Sequence, residues 1–157
     1  MYVDSHCHLT FEGLYERIDD VRAAMAAADV DRALVICTTL EEFDRVHGLA
    51  LQFPNFWASV GVHPDTEGVR GPTEADLLER AALPRVVAVG ETGLDYYRLG
   101  ERSVADMAWQ RERFRVHIRA ARRATKPLVI HTRSASADTL AILREEGGDI
   151  AGGVFHC

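Results

Sequence analysis

Lysine is nearly absent from this sequence, and acidic residues outnumber basic ones. Lys126 is the only lysine among 18 basic residues, and 24 acidic residues leave the 157-residue chain with a formal net charge of −6. That balance argues against a general nucleic-acid coat, because such proteins need a basic surface. It is compatible with an enzyme that acts on nucleic acid, since bound metal ions can supply the positive charge.

Cysteines and long apolar segments are also few. Cys7, Cys37 and Cys157 are far apart and form no CxxC pair, so we expect free thiols in a reducing compartment rather than a disulfide framework. No apolar run approaches the roughly 20 residues that a membrane-spanning helix needs. The residues after Met1 show no basic and apolar secretion signal. These absences predict a cytoplasmic protein with no membrane span.

The chain does contain a regular alternation of two patterns. Short runs rich in valine, isoleucine and aromatic residues predict strands at residues 2–5, 32–37, 56–61, 85–90, 127–130 and 153–155. Apolar residues at helical spacing predict helices at residues 14–27, 40–52, 74–82, 105–125 and 137–146. Strict alternation of strand and helix predicts a parallel sheet covered by helices.

The number of strands bears on the architecture. A closed (β/α)₈ barrel has eight strands and about 250 residues, whereas this sequence offers six strands. We therefore predict an α/β fold of the TIM-barrel type, a single domain over residues 1–157 with about six βα units, incomplete at its C-terminus. Its first and sixth strands would be exposed edges, which favours association, but the sequence does not indicate an oligomeric state. The alternative is an open sheet whose edges are covered in another way.

Histidine and carboxylate side chains recur where the predicted strands end. His6 and His8 follow the first strand, and residues i and i+2 of a strand point to the same side, so both imidazoles can reach one metal ion while Cys7 points away. His131 and His156 close the fifth and sixth strands. Because parallel strands of a barrel converge at their C-terminal ends, the sequence predicts a metal site there.

Glu91 ends the predicted fourth strand, between Gly90 and Gly93. The two glycines remove side chains from the loop and let backbone approach a ligand closely. A carboxylate on a buried strand needs a partner, because an unpaired buried charge is costly. A pair of cations bridged by its two oxygens is such a partner.

Other polar residues near these ends leave two interpretations open. His63 either orients a substrate phosphate or a ligand, or only caps its strand. Arg133 either holds a phosphate through its guanidinium or forms a surface ion pair with Asp138 or Glu91. Tyr97 either stacks on a base or packs in a lid together with Tyr96. We expect packing or surface roles for the helical histidines His47 and His117, and a solvated helix face for the arginines of residues 111–123.

Five motifs in this order resemble the TatD family of metal-dependent deoxyribonucleases, namely DSHCHL, SVGVHP, VGETGLDYYR, PLVIHTR and GGVFHC. The resemblance extends over residues 2–157 and implies a TIM-barrel hydrolase with two divalent ions, Mg²⁺, Mn²⁺ or Zn²⁺. It implies that His6 and His8 bind one ion, that His131 and His156 bind the other, and that both share Glu91. It also implies a DNA substrate, often a single strand degraded from its 3′ end.

If two cations clamp a phosphodiester and activate a water molecule, we expect Glu91 and His63 to be catalytic, and His63, Tyr97 and Arg133 to contact the substrate. The family pattern continues into two further strands, one of which carries an aspartate that completes the metal site, and this sequence has no such residue. An inactive metal-binding fragment or a partial subunit is therefore one alternative.

An amidohydrolase-type esterase or amidase, which also opens with HxH, is the other alternative. Many such enzymes bridge their metals with a carboxylated lysine after the fourth strand, where this sequence has Glu91. Lys126 lies before the fifth strand, at its other end, which disfavours the lysine-bridged branch.

Overall fold

The computed structural model describes residues 1–156, in which six strands alternate with helices. The strands are β1 Tyr2–Cys7, β2 Val30–Val35, β3 Phe56–Val60, β4 Val86–Asp95, β5 Leu128–Arg133 and β6 Gly153–His156. The helices are α1 Ile18–Ala27, α2 Phe43–Gln52, α3 Glu74–Ala81, α4 Ala108–Ala124, α5 Ser136–Glu145 and α6 Gly148–Ala151. Single 3₁₀ turns at Tyr15–Arg17 and Val104–Met107 precede α1 and α4.

The six strands form one parallel sheet in chain order, from β1 at one edge to β6 at the other. The sheet is curled, so that the C-terminal ends of its two edge strands approach each other. The rings of His6 on β1 and His156 on β6 stack with their centroids 3.7 Å apart. The predicted parallel α/β fold of the barrel type is therefore confirmed, as an open barrel wall of six strands.

The main difference from the predicted elements lies at the strand ends. The prediction ended the fourth strand at Gly90 and the fifth at Ile130, but β4 runs to Asp95 and β5 to Arg133. Polar residues continue the ladder there, since Gly93 pairs with His131 and Asp95 with Arg133. Glu91 and His131 accordingly lie within strands of the sheet, where the backbone is held more firmly than in the loops that the apolar pattern had suggested.

The core lies between the sheet and its helices. Its largest fully buried side chains include Phe43, Phe56, Leu77, Phe114 and Ile118, and burying each contributes about 1.5–3 kcal/mol. Helix α1 differs from the prediction, because none of its residues is fully buried. It packs beside β2 near the open edge of the sheet, where few elements are available to cover its apolar stripe.

The described cysteines Cys7 and Cys37 are free thiols, as predicted; Cys157 lies outside the described residues. Burial raises the pKa of each of these two thiols to about 12, so both are protonated and poorly nucleophilic at neutral pH. Cys7 Sγ donates to the carbonyl oxygen of Leu34, away from the histidines on either side of it. Within residues 1–156, every helix is too short or too polar to traverse a bilayer.

Candidate metal centre

Five imidazoles surround one carboxylate at the C-terminal ends of the strands. Glu91, only 1% exposed, is at the centre. The histidines come from β1 and the residue after it, from the segment after β3, from β5 and from β6, and are His6, His8, His63, His131 and His156. The structure thus brings together all the residues for which the sequence predicts metal ligation, and adds His63 to them.

Two glycines shape the bend in β4 that positions Glu91. The ladder between β4 and β5 is interrupted between Val89 and Thr92. Gly90 has φ +149°, and a Cβ there would lie 2.5 Å from the carbonyl oxygen of Val129. Gly93 has φ +135°, and its Cβ would lie 2.0 Å from the carbonyl oxygen of His131. A side chain at either position would push β4 and β5 apart.

Each oxygen of Glu91 faces a different pair of histidines. Oε1 lies 3.2 Å from His131 Nδ1 and 3.4 Å from His63 Nε2; we call His63, Glu91 and His131 the inner triad. Oε2 lies 3.2 Å from His6 Nε2 and 3.7 Å from His8 Nε2; we call His6, His8 and Glu91 the edge triad. Within each triad the three donor atoms lie within 4.8 Å of one another, a spacing at which one ion can contact all three.

His156 lies between the two triads. Its Nε2 is 3.6 Å from Glu91 Oε1, slightly farther than His63 Nε2, while its ring stacks on that of His6. The sequence had paired His131 with His156 and left His63 open between a substrate and a ligand role. The structure places both His63 and His156 near the same carboxylate oxygen as His131.

The charges of the cluster reinforce each other. Burial by itself raises the pKa of the Glu91 carboxyl, but the neighbouring imidazoles of His131, His6 and His63 outweigh burial and hold that pKa well below its usual range. Burial lowers the pKa of His63, yet Glu91 and Asp65 more than compensate, and the net shift is upward. Burial lowers the pKa of His8, and neighbouring histidines add to that effect. Glu91 is therefore ionised, as a bridging ligand must be.

Two carboxylates behind the inner triad were not predicted. Asp95 Oδ2 lies 3.0 Å from His131 Nε2, and Asp65 Oδ1 lies 2.5 Å from His63 Nδ1. Each aspartate contacts the ring nitrogen that faces away from Glu91. The sequence spacing is consistent with both contacts. Asp95 follows Glu91 by four residues on one strand, so the two side chains share a face, and Asp65 follows His63 by two. Such carboxylates commonly orient metal-binding histidines.

Helix α4 supports the same side of the cluster. His117 is fully buried, which confirms the predicted packing role. Its Nε2 also accepts a hydrogen bond from the Val62 N–H at 3.0 Å, next to His63. Arg113 donates to the carbonyl oxygens of His63 and Thr66 at 3.2 and 2.7 Å. The prediction of a solvated arginine face is wrong for Arg113, which is buried because its guanidinium satisfies these carbonyls.

Arg133 and Tyr97 form an exposed pair beside the end of β5. The guanidinium carbon lies 3.6 Å from the centre of the Tyr97 ring, which is 60% exposed. Neither predicted ion pair of Arg133 is present among the described residues: Asp138 instead accepts a hydrogen bond from the Tyr96 hydroxyl at 2.8 Å. Tyr96 is buried, so the lid-packing interpretation holds for Tyr96 and not for Tyr97.

The donor set of the cluster fits a divalent cation. In the described part of the chain, Glu91 Oε2 and the Nδ1 atoms of His6 and His8 are buried without a hydrogen-bond partner of good geometry. A buried, ionised oxygen without a partner is costly, and a cation between the edge histidines would supply that partner. Imidazole with carboxylate suits Zn²⁺ or Mn²⁺ and, less closely, Mg²⁺.

Comparisons with known proteins agree with this geometry. The family model described as "TatD related DNase" matches residues 3–157. An Escherichia coli K12 protein, "Uncharacterized metal-dependent hydrolase YcfH", is 46% identical over 99% of this chain and 58% of its own length. The "3'-5' ssDNA/RNA exonuclease TatD" of Citrobacter rodentium is 34% identical over 98% of this chain and 57% of its own length.

A solved structure extends the comparison to the fold. The crystal structure of YjjV, a TatD homologue from E. coli K12, superimposes with a TM-score of 0.87 and 26% identity, covering 99% of this chain and 59% of that one. This chain therefore spans a little under 60% of the length of these relatives. The family model, the relatives and the shared curled sheet together show that the chain belongs to the TatD related DNase family.

Proposed function

We propose that this chain carries the metal centre of a divalent-metal-dependent phosphodiesterase that degrades DNA, with single strands attacked from the 3′ end. The observation behind the proposal is Glu91, whose two oxygens each face a separate group of histidines. A carboxylate in that position is suited to bridge two cations. The relative from C. rodentium, named as a single-strand exonuclease, supports the choice of substrate.

In this proposal the histidines divide between two ions of Mg²⁺, Mn²⁺ or Zn²⁺. His6 and His8 would hold one ion, His131 and His156 would hold the other, and Glu91 would be a ligand to both. When bound, the two ions supply Lewis-acid activation of the phosphodiester and of the attacking water. His63, whose Nε2 points at the same carboxylate oxygen as His131 Nδ1, is placed to orient the phosphate or to add a ligand.

Substrate contacts are proposed for the exposed pair beside β5. The guanidinium of Arg133 can hold a phosphate through two parallel hydrogen bonds. The exposed ring of Tyr97 offers a surface for a base and already packs against that guanidinium. Because the chain as a whole is acidic, this local cation and the bound metal ions would provide the attraction for a polyanion.

The test is hydrolysis of a 3′-labelled and a 5′-labelled single-stranded DNA by the purified chain with Mg²⁺ or Mn²⁺, and with a chelator as a control. We expect metal-dependent loss of the 3′ label, abolished by His131→Ala. His47→Ala is the matched control, because His47 lies on α2 and contacts Pro84 rather than the cluster. Turnover that persists with the chelator, or in His131→Ala, would contradict the assignment.

The same assay distinguishes the alternatives. A parallel panel of esters and amides tests the amidohydrolase alternative. The lysine-bridged form of that alternative is disfavoured, since Lys126 contacts the carbonyls of Ala81 and Val86 at the opposite end of β5 from the cluster. Metal binding without turnover of DNA, esters or amides would assign this chain to metal binding alone.

A further inference from the structure

Asp95 is a buried carboxylate whose contacts lead to the metal centre. It is 6% exposed, and its Oδ2 lies 3.0 Å from His131 Nε2. Its other oxygen, Oδ1, accepts the Tyr97 N–H at 2.9 Å. The backbone N–H of Asp95 donates to Oε1 of the buried Gln110 on α4, also at 2.9 Å. Both oxygens therefore have a defined donor, and α4 fixes the backbone from which they project.

The orientation of His131 depends on this contact. A ring nitrogen that binds a metal ion must present a lone pair, so the hydrogen of a neutral imidazole has to be on the other nitrogen. In His131 the nitrogen that faces Glu91 Oε1 is Nδ1, at 3.2 Å. Asp95 supplies an acceptor for a hydrogen on Nε2, which leaves Nδ1 free to bind.

The described residues provide no such acceptor for the histidines of the edge triad. The Nδ1 atoms of His6 and His8 face away from Glu91 Oε2 and have no hydrogen-bond partner among the described residues. No residue from 1 to 156 holds a tautomer of His6 or His8 as Asp95 does that of His131. Asp95 therefore makes a contact with His131 that the described residues do not provide for His6 or His8.

We propose that Asp95 is a positioning residue for metal binding: it holds the His131 ring, with hydrogen on Nε2, so that Nδ1 is presented to an ion beside Glu91 and His63. The inference rests on the metal centre proposed above and adds to it a residue that does not touch the ion. Gln110 contributes indirectly, because its Oε1 accepts the Asp95 N–H and holds the backbone of Asp95.

The first experiment is a Zn²⁺ titration of the full chain in competition with a chromophoric chelator. We expect Asp95→Asn to bind Zn²⁺ about 10–100-fold more weakly, the range typical when a hydrogen-bond partner of a metal ligand is removed. An amide has a single acceptor oxygen and cannot satisfy both His131 and the Tyr97 N–H. Asp138→Asn is the matched control, because Asp138 accepts from Tyr96 and has no contact with the histidines; its affinity should equal that of the unmodified chain.

The second readout is the ¹⁵N spectrum of the His131 ring in the Zn²⁺-loaded chain. We expect ligation through Nδ1 and a protected N–H at Nε2 that Asp95→Asn weakens; a merely structural role would leave this signal unchanged. Asp95→Ser replaces Asp95→Asn if the latter does not fold, as judged by its thermal unfolding. Ligation through Nε2 in the unmodified chain decides against the proposal without any variant.

The outcomes separate the two proposals. Failure of the unmodified chain to bind Zn²⁺ would overturn the metal centre itself. Zn²⁺ binding of unchanged affinity in Asp95→Asn would overturn the role of Asp95 and leave the metal centre standing.

Discussion

The inner and edge triads share Glu91 but differ in how their histidines are held. His131 lies on β5, which has neighbours on both sides, and His63 follows the central strand β3. Both rings have an aspartate behind them. The edge triad depends on β1, which has one neighbour and whose Tyr2 and Val3 are 68% and 63% exposed.

Two sites built from the same types of ligand can therefore differ in their affinity for a metal ion. Ordering a side chain at the moment of binding costs about 0.5–1.5 kcal/mol. Asp95 and Asp65 already order the inner histidines in the folded chain, and α4 supports the same segment. The edge histidines have no such contacts among the described residues, so they must be ordered when the ion binds. We therefore expect the inner triad to bind an ion more tightly than the edge triad.

The largest effect is expected where the two triads meet. Glu91→Gln removes the charge that both triads share and should weaken divalent-ion binding at both by more than about 100-fold. Loss of a residue that only hydrogen-bonds to a metal ligand already lowers metal affinity by about 10–100-fold. The stoichiometry of Zn²⁺ bound after equilibrium dialysis measures this. Glu145→Gln, at an exposed ion pair with Arg115, should bind as the unmodified chain does. Retention of either ion by Glu91→Gln would break the idea of a shared bridge.

The next effect compares the triads directly. His131→Ala should weaken the tighter binding phase by roughly 100-fold, whereas His6→Ala should leave that phase in place and remove the weaker one. The inner histidine has the greater effect because its orientation is already supported by Asp95. Calorimetric titration with Mn²⁺ resolves the two phases. Equal losses in both variants would contradict the proposed difference between the triads.

Acid should lower the free energy of unfolding of the chain through His117, the buried histidine that bonds the Val62 N–H next to the inner triad. Burial lowers the pKa of His117 to about 4 from its ordinary 6.5, so the unfolded chain takes up a proton before the folded one. This contribution to stability is complete above pH 6.5 and is lost as the pH falls toward 4, about 2 kcal/mol of it between pH 7 and pH 5.

Urea unfolding at several pH values measures that loss. The free energy of unfolding of His117→Gln, which cannot titrate at this position, should fall less steeply with acid. A His117→Gln profile parallel to that of the unmodified chain would refute the assignment.

The smallest effects concern residues outside both triads. Arg133→Ala should raise KM for single-stranded DNA by roughly tenfold, the worth of one charge-assisted contact, without changing Zn²⁺ affinity. Tyr97→Leu should raise KM only about threefold, because an exposed cation–π contact contributes about 0.5–1 kcal/mol. Steady-state kinetics with matched metal titrations tests both. A loss of metal affinity in Arg133→Ala would place that residue within the metal centre instead.

Much of this arrangement could be predicted from residue patterns. Alternating apolar runs were enough to identify all six strands and the parallel sheet, because burial on both faces demands continuous apolar residues. The HxH pair and Glu91 between two glycines indicated where the cluster of candidate metal ligands lies. Asp95 was overlooked because its even spacing from Glu91 indicates only a shared face of one strand, whereas its importance comes from a contact with His131, 36 residues away.

Residue patterns were sufficient to predict the parallel α/β order, the end of the sheet that carries the histidines and the resemblance to the family. They did not predict which histidine faces which oxygen of Glu91, that Arg113 is buried, or that Arg133 pairs with Tyr97; these contacts are visible only in the folded chain. The physical reason is the curl of the sheet. Strand patterns specify which way a side chain points, but the distance between β1 and β4 depends on how far the whole sheet bends.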